Sequence, residues 1–141
     1  MYKKILLPTD GSDFANNAAK HALFLASKCD AKIIALSVVE NDFVNSVSLE
    51  ENILEITNIL KEDSQDNLDE FKNFAASSEL DIEYLIKEGN PAKKILEVAK
   101  EEDVDLIVVG SSGKTGFDKF IMGSVADKIV SSADCAVLVI H

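Results

Sequence analysis

Asp105-Leu106-Ile107-Val108-Val109-Gly110-Ser111-Ser112-Gly113 begins the segment that decides the fold, and Gly123-Ser124-Val125-Ala126-Asp127-Lys128-Ile129-Val130 ends it nine residues later. The apolar run 105–109 reads as a strand buried on both faces, as strands of parallel sheets are. Val125–Val130 reads as a helix. Glycine lets the main chain come close to a ligand, and a helix start offers unpaired N–H groups and partial positive charge. A strand, a glycine-bearing loop and a helix start therefore make a candidate cradle for an oligophosphate.

The same beat runs outward from this segment. Lys3-Lys4-Ile5-Leu6-Leu7 is a short strand, and Ser12 caps a helix to about Lys28 with Phe14, Ala18, Ala22 and Leu25 as its apolar positions. Ala31–Val39 is a second strand. Ser48-Leu49-Glu50-Glu51 forms a capping box before a long helix carrying Ile53, Ile56, Leu60, Leu68, Phe71 and Phe74 along one side. Asp81–Lys87 alternates as a third strand. Asn90-Pro91 is a cap followed by proline at the first helical position, for a helix to about Glu101. The Val104–Val109 strand, the glycine loop, a last helix and the strand Cys135–Ile140 complete the chain.

Strand–helix repeats of this kind predict an α/β fold: an open five-stranded parallel sheet with helices on both faces. Right-handed crossovers make the order 3-2-1-4-5 the simplest. At 141 residues, the expectation is one domain over 1–141. The final strand would be an edge that is apolar throughout, so pairing with a second copy of the chain through Cys135–Ile140 is expected.

Composition narrows the partners. A formal charge of −11 argues against a nucleic-acid or anionic membrane surface. No apolar run approaches the ~20 residues that span a bilayer. The strand pattern starts within three residues of Met1, so no signal peptide is read and a cytoplasmic location is expected. Cys29 and Cys135 lack ligand spacing and are read as buried thiols.

In such a sheet, ligands bind beyond the carboxyl ends of the strands where the winding reverses. Pro8-Thr9-Asp10-Gly11-Ser12, Ser37-Val38-Val39 and Gly110-Ser111-Ser112-Gly113 meet there. Asp10 can accept hydrogen bonds from ribose hydroxyls or help hold Mg²⁺. The Val38 backbone can pair with an adenine edge, and loop amides with Ser124 can hold phosphates.

These residues resemble the universal stress protein family, in its ATP-binding branch. Gly110, Gly113, Gly123 and Ser124 match that branch's G-x2-G-x9-G-[ST] in full. The opening Tyr2–Ser12, Asp105–Gly110 and the closing Ala136-Val137-Leu138-Val139 are similar as well, so the likeness runs the whole length. The resemblance implies a Rossmann-like fold and a cofactor that is ATP or AMP, with or without Mg²⁺. It implies adenine and ribose contacts at Pro8, Thr9, Asp10 and Val38, and phosphate contacts at Gly110, Gly113, Gly123, Ser124 and Val125. It also implies a dimer through the last strand. Ser112 departs from the many members with His or Arg there: either a phosphate contact is weakened, or backbone amides dominate and little changes.

The expected function is a cytoplasmic, nucleotide-dependent regulatory dimer in stress adaptation that acts on an unidentified protein partner, with slow or no hydrolysis. The alternatives are a slow Mg²⁺-dependent ATPase or autophosphorylating protein, and a dimeric scaffold free of nucleotide. No positioned Arg or spare base is read for water activation. His21 and His141 lack catalytic partners, and the run Glu101-Glu102-Asp103 reads as a solvated helix end. Gly113-Lys114-Thr115 resembles a P-loop end, but Val108 occupies the place of that motif's first glycine. A receiver domain would need clustered acids after strand one, and a flavodoxin-like carrier would need its phosphate loop there; this chain has one Asp10. The segment Glu40–Val47, beside the adenine position, reads as either a connector or a lid.

Overall fold

The computed structural model describes residues 1–40, 50–112 and 122–141, leaving out the side chains of 50–54, 56 and 57. Its strands are β1 (Lys4–Pro8), β2 (Lys32–Val39), β3 (Ile82–Glu88), β4 (Leu106–Gly110) and β5 (Ala136–Ile140). Its helices are α1 (Asp13–Cys29), α2 (Glu50–Phe74), α3 (Pro91–Glu101) and α4 (Ser124–Ser132). The strands form one sheet in the expected order β3-β2-β1-β4-β5. All four pairings are parallel.

Alternation along each strand makes two cores. Ile5, Leu7, Ile33, Ala35, Leu106 and Val108 point to one face, beneath alanines of α1 and beneath Leu68 and Phe71 of α2. Leu6, Ile34, Leu36, Ile107 and Val109 point to the other, beneath Ile95 and Val98 of α3 and Ala126 and Ile129 of α4. The central strands are buried on both faces, so they read as continuous apolar runs.

The predicted caps are present. Ser12 Oγ accepts from Ala15 N at 3.1 Å and starts α1. Asn90 Oδ1 accepts from Lys93 N at 3.0 Å and starts α3, with Pro91 at its first position. The capping-box residues Ser48 and Leu49 lie outside the described residues.

Some sequence expectations need correction. α1 buries Ala15, Ala18, Ala19, Ala22 and Ala26, while Phe14 and Leu25 are only half-buried. Small residues let this helix lie close on the sheet. Phe74 is 49% exposed, because the helix ends there and Ala75 takes the buried place. Cys29 and Cys135 are free thiols but only half-buried, Cys29 as the last residue of α1 and Cys135 in the connection just before β5. They pack against opposite cores.

Candidate functional site

The tip of β1 is fixed by its own polar groups. Thr9 is buried, and its N–H donates to Leu36 O at 2.8 Å, tying the tip to β2. Asp10 Oδ1 accepts from Ser12 N at 2.9 Å, which orients the half-buried carboxylate. Among the described residues no donor lies within hydrogen-bond distance of its Oδ2. Gly11 between them has φ +77°, and Asn67 of α2 fills the space a Cβ would need. Only glycine suits that place.

The two ends of the glycine loop are clasped together. Ser111 N donates to Ile140 O at 2.7 Å, and Gly123 N donates to Ser111 O at 2.6 Å. Gly123 caps α4 without a side-chain hydrogen bond. The first bond into the helix runs from Asp127 N to Gly123 O at 2.9 Å. The N–H groups of Ser124, Val125 and Ala126 therefore have no partner within the helix. Among the described residues these three amides, unlike that of Gly123, have no hydrogen-bond partner. Gly110 ends β4, where a Cβ would lie 2.8 Å from the backbone carbon of Phe14. Its lack of a side chain is thus required by the close approach of α1 as well. Gly113, Lys114 and Thr115 lie outside the described residues.

A cleft of about 260 Å³ joins the end of β2 to the start of α4. Glu40, Asn90, Pro91, Ala92, Ser124, Val125 and Lys128 line it. Ser124 and Val125 are sequence candidates; the other five are not. Asn90 and Pro91 were legible only as a cap, since nothing local says that α3 begins beside α4. Val38, two residues before Glu40, is half-buried and packs against the same core as Val125. Pro8, Thr9, Asp10 and Gly110 do not line the cleft; they stand at the tips of β1 and β4, between β2 and β5 in the sheet.

The charged residues that line the cleft are Glu40, just after β2, and Lys128 of α4. Displaced titrations lie elsewhere. Burial pushes Tyr84 up. Burial, then the carboxylates of Asp105 and Asp134, push the Cys135 thiol up, which suppresses the thiolate and its reactivity. Among the described residues no cluster of three or more His, Cys, Asp or Glu could hold a metal ion.

A family model described as the Universal stress protein family matches residues 1–141. The chain belongs to the universal stress protein family. Universal stress protein MJ0531 of Methanocaldococcus jannaschii is 40% identical over 140 residues, covering 99% of this chain and 82% of that one. The solved structure of MJ0577 from the same organism superposes with TM-score 0.88 at 33% identity, covering 99% and 96% of the two chains. A universal stress protein solved in complex with cAMP superposes with TM-score 0.75 at 25% identity, covering 99% and 97%. The order of strands read from the sequence is thus the fold of these universal stress proteins.

Proposed function

We propose that this chain is an adenine-nucleotide-binding regulatory protein of the cytoplasm, working as a homodimer of one-domain subunits in stress adaptation. The observation that carries the reading is the placing of an oriented carboxylate, Asp10, and the three first-turn amides of α4 that lack a partner within the helix at the same end of the sheet. A carboxylate accepts ribose hydroxyls, and a helix start holds phosphates. The cAMP complex of a family member supports an adenylate as the ligand class. Pro8, Thr9 and Val38 take the base and ribose; Gly110, Gly113, Gly123, Ser124 and Val125 surround the phosphates, with ATP or AMP as the ligand. Where Mg²⁺ accompanies the phosphates, Asp10 would be the carboxylate to share it, since this ion is commonly held by one or two carboxylates together with substrate phosphates. The apolar edge of β5 supports pairing of two subunits.

Asp10→Asn tests the reading. The amide keeps an oxygen for Ser12 N–H, so the turn survives, but it loses the charge and the second acceptor. ATP and AMP affinity, measured by equilibrium dialysis, should fall about tenfold, the value of a hydrogen bond to a charged group. Unchanged affinity, or no adenylate retained by the unaltered protein, contradicts the proposal.

A further inference from the structure

We infer that Lys128 gives the cleft its preference for oligophosphorylated adenylates, its ammonium meeting a phosphate beyond the α-phosphate. The inference rests on the adenylate reading and adds a residue that the glycine motif does not contain. Lys128 lines the cleft together with Ser124 and Val125. It stands four residues after Ser124 on α4, and three after Val125, so these side chains share one helix face. Side chains tilt toward a helix's N-terminus, which carries the Lys128 ammonium toward the turn bearing the open amides.

Charge supports the assignment. Lys128 is the cation among the lining residues, in a chain of formal charge −11. The lining carboxylate is Glu40, at the β2 end. Phosphates are repelled from Glu40 and drawn to the Lys128 side, so the nucleobase faces β2 and the phosphate chain faces α4. One ammonium adds less for AMP, which has no phosphate beyond the one at the first-turn amides. Each further phosphate adds charge beside a helix start that offers only about half an elementary charge, so the ammonium counts for more with ATP. Among the described residues Lys128 forms no ion pair, whereas Lys32, Lys61 and Lys94 are each engaged with a glutamate.

The test compares ATP and AMP binding by isothermal titration calorimetry, in chelator, for the full chain and its Lys128→Gln and Lys128→Arg variants. Lys128→Gln should lose about tenfold in ATP affinity, as for a lost hydrogen bond to a charged group, and less than about twofold for AMP. Lys128→Arg should keep the ratio of the two affinities near that of the unaltered protein. Lys128 is exposed, so both variants should unfold at the unaltered temperature. If Lys128→Gln leaves the ATP-to-AMP ratio unchanged, the inference is overturned while the adenylate reading stands. If the unaltered protein binds neither nucleotide, both fall.

Discussion

A Cβ at Gly110 would lie 2.8 Å from both the backbone carbon and the Cβ of Phe14, and 2.9 Å from its carbonyl oxygen. None of these is the far end of a flexible side chain, so α1 and β4 would have to move apart. Gly110→Ala should therefore cost about 1–3 kcal/mol, the range for overpacking a close-packed interior. Urea unfolding followed by circular dichroism checks this; a variant as stable as the parent contradicts the packing account. The glycine spacing alone pointed to phosphate approach, because a sequence does not say which helix crosses the strand end. Gly123 differs, since a Cβ there would meet Ser111 O and Ser112 Cα at 3.4 Å, close to ordinary contact. Its amide is spent on Ser111 O, so the donors for an anion begin one residue later than the motif's own glycine.

The two edge strands are defended differently. β3 carries Glu83, Lys87 and Glu88, and Lys32 and Lys61 meet its glutamates at 3.0 and 2.7 Å. Such exposed charges discourage pairing with another chain. β5 is Ala136-Val137-Leu138-Val139-Ile140, with no charge at all. Ile140 O accepts from Ser111 N, so Ile140 faces β4 with its backbone groups. Alternation then turns the N–H and C=O of Val137 and Val139 outward. Val137→Pro removes an outward donor while sparing the ladder to β4. Analytical ultracentrifugation should find the parent at twice its 15.3 kDa chain mass and this variant at that mass. A dimeric Val137→Pro variant places the subunit contact elsewhere.

Element order, sheet topology and the two side-chain caps were legible because local chemistry settles them. Ser12, Asn90 and Pro91 act within three residues of their own position. Strand ends moved by one or two residues: β4 begins at Leu106 rather than Val104, where Val104 N still bonds to Ala99 O in the turn leaving α3. Phe74 was misread because helical spacing does not show where the covering sheet stops.

At the scale of the whole molecule, the two segments proposed to hold the ligand stand at one end of the sheet. One is the β1 tip, stitched by Thr9, Asp10 and Ser12; the other is the start of α4, clasped to β4 through Ser111 and Gly123. Each segment was named as a candidate from its own residues. The place of Glu40, Ala92 and Lys128 in one cleft was not readable that way, because it arises only when α3 and α4 stand side by side over one sheet face. A chain of charge −11 has no general attraction for an anion, so in the proposed site the local amides and Lys128 would have to supply it. An amide chemical-shift titration of the full chain with ATP tests this arrangement most directly. The account predicts saturable shifts shared by Thr9–Ser12, Val38–Glu40 and Ser124–Ala126, following a single binding curve. Saturable binding whose shifts spare both Asp10 and Ser124, or no saturable shift at all, would contradict it.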